Sequence, residues 1–112
     1  MPKRILIVAP DPTLKSTRAA ILKHQGYEVE AVETPDQALA RLEAERFDLV
    51  LLGRKQREEA RALDAEMRQK FPDLPILKIA PFSDPDAERY ATRSVDPYPR
   101  SVIDAVRELL GE

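Results

Sequence analysis

The side chains able to do chemistry are few and poorly matched. The chain has one histidine, His24, and no cysteine. Thiolate chemistry, disulfides and cysteine-held metals are therefore excluded. A single imidazole leaves most hydrolytic and metal mechanisms short of components. No glycine-rich phosphate loop, His/Asp metal spacing or Ser/His/Asp set occurs. His24 stands near the end of a helical pattern and reads as a surface residue favourable to a helix C-terminus. Asp11 precedes Pro12. That pair reads as a helix N-cap followed by proline at the first helical position, in preference to a lone metal ligand. Asp96 could pair with Arg54 or Lys55, but an exposed pair is worth only about 0 to 1 kcal/mol. Solvated loop charges are the simpler reading. The run GRKQREEARALDAEMRQK (53–70) is a solvated helix face with a basic start that could dock an acidic partner.

The elements that must position these residues alternate in type. KRILIVA (3–9) is an aliphatic run of strand length. Leu14, Ile21 and Leu22 mark one face of a following helix that Gly26 ends. YEVEAV (27–32) alternates at period two, as an edge strand with one wet face does. Thr34 lies three residues before Gln37 and reads as a capping box, and Ala38, Leu39 and Leu42 give the next helix its apolar stripe. DLVLL (48–52) is apolar on both faces, which suits a central parallel strand. Ala60, Leu63, Met67 and Phe71 predict a helix over about 56–70. FPDLP (71–75) breaks it, and ILKIA (76–80) is the fourth strand. The signal then weakens through a short helix at about 85–93 and a very short strand at 94–95. Val102, Ile103, Val106, Leu109 and Leu110 share the stripe of a last helix that Gly111 stops.

Strands alternating with helices imply an α/β fold: a doubly wound, five-stranded parallel sheet with helices on both faces. The 112 residues form one domain, 1–112, with no internal repeat or linker. In such folds ligands sit beyond the carboxyl ends of the strands. Here that region comprises Ala9, Pro10, Gly53, Arg54, Ala80 and Asp96.

With those positions in hand, the chain resembles the receiver domain of two-component response regulators. KRILIVAPDPTL is similar to the family's first strand and helix start. GYEVEAVETPDQALARLEAERFDLVLLG matches the next stretch almost position for position, and PDLPILKIA resembles the fourth strand. DPYPRSVIDAVRELL resembles the Lys-Pro region and last helix. The resemblance covers the whole chain, closely to position 80 and loosely over 81–99. It implies a flavodoxin-like sheet in order 2-1-3-4-5, with the helix at 85–93 shortened.

The resemblance also implies a phosphorylation site, and each of its positions departs from the pattern. The Mg²⁺-holding acidic pair falls on Ala9 and Pro10, the phosphoacceptor aspartate on Gly53, the phosphoryl-contacting Ser/Thr on Ala80 and the lysine on Asp96. The proline-glycine loop that follows the acceptor is replaced by RKQREEA. Mg²⁺ needs oxygen ligands in octahedral geometry, and an acyl phosphate needs a carboxylate nucleophile. Asp48 is no substitute acceptor. It lies roughly 16 Å from Gly53 along a strand rising ~3.3 Å per residue, at the opposite end of the sheet.

The expectation is a non-enzymatic pseudo-receiver, independent of phosphorylation, acting by protein–protein interaction without a cofactor or metal. The family's output face maps to about 85–95 and 100–110. Tyr98, Val102, Ile103, Val106 and Leu109 are the expected interface, toward a signalling protein or a second copy of the chain. The alternative is a small-ligand domain that uses the pocket emptied at Ala9, Pro10, Gly53 and Ala80. A net charge of -2 argues against nucleic-acid or membrane-surface binding. The N-terminal apolar run is too short for a signal peptide or a span, so a cytoplasmic location is expected.

Overall fold

The computed structural model describes residues 2–9, 12–52, 65–79, 93–95 and 98–111. Strand β1 is Arg4–Val8, helix α1 Pro12–His24, β2 Glu28–Val32, α2 Pro35–Ala44 and β3 Leu49–Leu52. Residues 65–70 are helical (α3), followed by β4, Ile76–Ile79. β5, Arg93–Val95, and α4, Pro99–Leu110, complete the chain order.

The sheet is parallel throughout, in the order β2-β1-β3-β4-β5. Its body is β1 to β4. β5 adds a three-residue edge, with Leu77 to Ile79 facing Arg93 to Val95. The apolar runs form strands because they are buried on both sides. Each residue of β3 and β4 is buried, and Ile5 to Val8 of β1 are likewise. β2 is less buried at every position, and its alternating Glu28 and Glu30 suit an edge.

Alternation along the strands builds two cores. Ile5, Ile7, Leu49, Leu51, Leu77 and Ile79 pack with Leu22 of α1 and with Val102, Ala105 and Val106 of α4. Leu6, Val8, Val50, Leu52 and Ile76 face the other way, onto Ala38, Leu39 and Leu42 of α2 and Met67 of α3. Helices therefore cover both faces of the sheet.

The helix ends follow their chemistry. Thr34 Oγ1 accepts from the Gln37 N–H at 3.2 Å, while Gln37 Oε1 accepts from the Thr34 N–H at 3.3 Å, a reciprocal capping box. Gly111 closes α4 in the left-handed region at φ 73°, a conformation glycine adopts without a Cβ penalty. The first part of the helix expected over 56–70, and the short helix expected at 85–93, lie outside the described residues.

Candidate functional site

The carboxyl ends of β1, β3 and β4 fall side by side, as Val8, Leu52 and Lys78 in adjacent register. The residues that continue these strands are Ala9, Gly53 and, after Ile79, Ala80. Of the five positions expected to carry the emptied site, Ala9 is described. Pro10, Gly53, Ala80 and Asp96 lie outside the described residues.

Ala9 is 1 % exposed, and its N–H donates to the Val32 carbonyl at 3.0 Å. The main-chain bond continues the β1–β2 ladder past the strand end. The methyl group packs into the α1/α4 core with Ile7 and Leu51. A residue so placed offers a metal no side-chain oxygen. Among the described residues no group of three His, Cys, Asp or Glu could hold a metal ion. Mg²⁺ takes carboxylate oxygens, and Ala9, the one described position of the expected site, has none.

The polar chemistry of the described residues gathers at the opposite end. Asp48 precedes β3 and accepts from the Arg4 N–H through Oδ2 at 2.8 Å, which fixes it at the N-terminal end of the sheet. The Arg4 guanidinium donates to Glu45 at 2.9 Å and to the Arg46 carbonyl at 3.0 Å, and lies 4.6 Å from the centre of the Phe47 ring. Arg41 donates to Glu30 and to Glu45. Hydrogen bonding to Arg4, with the nearby charge of Arg41, holds the Glu45 carboxyl below the ordinary glutamate range. This cluster ties the end of α2 to β1 and β2. Its order is that of a surface brace. An open groove of ≈ 720 Å³ runs beside it, between Leu42 to Asp48 and Lys70 to Pro75.

The expected interface residues divide. Val102 and Val106 are 4 % and 0 % exposed and belong to the core under the sheet, which corrects their assignment to a contact surface. An amphipathic stripe on a helix packed against a sheet is consumed by that packing. Ile103 and Leu109 are half-buried at its margin, and Tyr98, before the first turn of α4, is 70 % exposed. His24 is the exposed last residue of α1, as its position in the pattern implied. The sequence reading passed over one residue, Lys78. It lies in β4 and is 1 % exposed. A lysine inside an apolar strand-length run was the available signal.

No family model matches the chain, and no curated protein matches it. Solved structures do. A CheY-like response regulator receiver domain protein from Methanospirillum hungatei is 26% identical, covering 99% of this chain and 95% of its own, with a TM-score of 0.87. The response regulator TrrA from Thermotoga maritima, solved in complex with Mg²⁺ and BeF, is 25% identical, with coverages of 96% and 99% and a TM-score of 0.86. The receiver domain of a signal transduction histidine kinase from Syntrophus aciditrophicus is 25% identical, with coverages of 97% and 90% and a TM-score of 0.83. The chain has the receiver-domain fold. Its structural neighbours are signalling domains. No helix among the described residues is long and apolar enough to cross a membrane.

Proposed function

We propose that the protein is a pseudo-receiver: a receiver fold that signals by protein–protein contact, independently of phosphorylation. The observation that supports this reading is the strand β3, which ends at Leu52 and is followed in the chain by Gly53. The receiver pattern places its phosphoacceptor there, and glycine has no carboxylate to attack a phosphoryl donor. The buried Ala9 after β1 supports it further, because that position in the pattern belongs to the metal-holding pair. With neither nucleophile nor ligand, the fold keeps the architecture of a switch without its chemical input. Its partners are other signalling proteins, and a second copy of the chain is one of them. The exposed Tyr98 before α4, together with the half-buried Ile103 and Leu109 along that helix, is the proposed contact. The alternative, a small ligand in the emptied pocket, would come forward on a ligand-induced rise in melting temperature.

The test is direct. The protein is incubated with acetyl phosphate and Mg²⁺, and its intact mass is measured. The expected spectrum shows no added phosphate. A stoichiometric phosphate adduct overturns the reading.

A further inference from the structure

One edge of the sheet is both long and open. Among the described residues β2, Glu28–Val32, pairs with β1 and has no strand beyond it. The opposite edge, β5, is three residues long. The Glu28 N–H donates to the Lys3 carbonyl at 3.0 Å, and the Val32 carbonyl accepts from the Ala9 N–H at 3.0 Å. Glu28, Glu30 and Val32 therefore direct their main-chain groups to β1. In an extended strand the next residue along turns its N–H and C=O the other way, so Val29 and Ala31 present theirs outward. Such a row is a template for a further strand. The strand present at matching concentration is β2 of a second copy.

The side chains of β2 oppose that use. Val29 and Ala31 pack onto the core with Ile5 and Ile7, and alternation puts Glu28 and Glu30 on the other face. Glu30 accepts from Arg41 at 2.9 Å, and Glu28 lies 3.5 Å from the Arg4 guanidinium. Two copies of β2 joined antiparallel about a two-fold axis can pair through Val29 and Ala31 in three registers. Val29 opposite Val29 sets Glu28 against Glu30 twice. Val29 opposite Ala31 sets Glu30 against Glu30. Both place like charges at the closer, non-hydrogen-bonded positions, where Cα atoms are about 4.5 Å apart. Ala31 opposite Ala31 sets Glu30 against Val32, where the carboxylate exchanges water for an apolar neighbour. Arg4 and Arg41 do not remove the cost. Both ion pairs are partly exposed, and each arginine would give up water together with its glutamate.

We propose that Glu28 and Glu30 keep the β2 edge from pairing with β2 of a second copy. This guard is separate from the missing phosphorylation chemistry and from the contact at Tyr98.

The experiment removes the two charges and measures association. Tyr98→Ser is present in every chain, so that the contact at α4 does not contribute. Glu28→Thr and Glu30→Thr are combined, because threonine suits a strand and carries no charge. Sedimentation velocity is run over a range of protein concentrations, with far-ultraviolet circular dichroism as the check on folding. The expected result is association at concentrations where the chain with both glutamates is monomeric, a shift of at least ~10-fold. Adding Val29→Pro removes an outward N–H and leaves the β1 ladder intact, and is expected to restore the monomer. Glu45→Gln weakens the same ion pairs from α2 but keeps both edge glutamates, and is expected to leave association unchanged. Equal association with and without the two threonines overturns the proposal. Association that survives Val29→Pro overturns it too, because another surface is then responsible. So does equal association in Glu45→Gln, which would trace the effect to a loosened brace. If the double replacement does not fold, Glu28→Thr alone is compared, and the same outcomes decide.

Discussion

Single residues decide what this fold can do. The proposal turns on Gly53 and Ala9, because a backbone hydrogen and a methyl group can supply neither nucleophile nor ligand in any conformation. Lys78 was not legible, because burial belongs to the assembled sheet and a lysine in a short strand reads equally well as an edge residue. The brace of Arg4, Arg41, Glu30 and Glu45 was also invisible in the sequence, since Arg4 and Glu45 are 41 positions apart. Its pH dependence has a definite sign. The folded state holds the Glu45 carboxyl below its ordinary range, first through the hydrogen bond from Arg4. Its contribution is present above the unfolded glutamate pKa and is lost as pH falls through the depressed folded value. Glu45 is exposed, so the effect is small and salt-sensitive. Glu45→Gln is therefore expected to narrow the gap in melting temperature between neutral and acidic buffer. An acid limb identical to that of the unaltered protein would show that the brace contributes nothing.

At the scale of elements, local chemistry carried most of the prediction. Thr34 and Gln37 were separated by the spacing of a capping box, and the structure closes both of its bonds. The box satisfies two main-chain N–H groups that helix geometry leaves without partners. Thr34→Ala removes the hydroxyl acceptor and is expected to cost about 1 kcal/mol. Chemical denaturation checks this, and Thr34→Ser should recover most of the loss because it keeps the hydroxyl. The last helix shows where element-level reading stopped. The sequence puts five apolar residues on the stripe of α4, some of them expected at an interface. In the structure Val102, Ala105 and Val106 pack under the sheet, which leaves a margin of Ile103, Leu109 and Leu110. Periodicity names the apolar stripe of a helix but not the width of the surface that receives it. Tyr98 stands outside that core at 70 % exposure. Self-association through it is expected to appear in sedimentation velocity at high protein concentration, and Tyr98→Ser is expected to weaken it without lowering the melting temperature. A protein that stays monomeric at high concentration removes the proposed contact.

For the whole molecule, alternation of strand and helix was enough to specify a parallel sheet with two covered faces, because both faces of β1 and β3 are apolar and β4 departs from this only at Lys78. The same architecture brings the carboxyl ends of the strands together, so the proposed loss of the metal site is a matter of the molecule and not only of each residue. Mg²⁺ tests that property without a partner. In a receiver with its acidic site intact, the carboxylates repel one another in the absence of metal. Mg²⁺ relieves the repulsion and binds the folded state alone. The stabilisation follows RT ln(1 + [L]/Kd), which at ~10 times Kd is about 1.4 kcal/mol. For a domain of this size that corresponds to a melting shift of roughly 5 °C or more. Here Ala9, Pro10 and Gly53 remove both the repulsion and the ligands. A melting scan in ~10 mM MgCl₂ is therefore expected to coincide with one in NaCl of equal ionic strength, the control that removes general screening. A Mg²⁺-dependent rise of several degrees above that control would mean that other carboxylates have rebuilt a metal site at the strand ends, and that the fold has kept its chemical input.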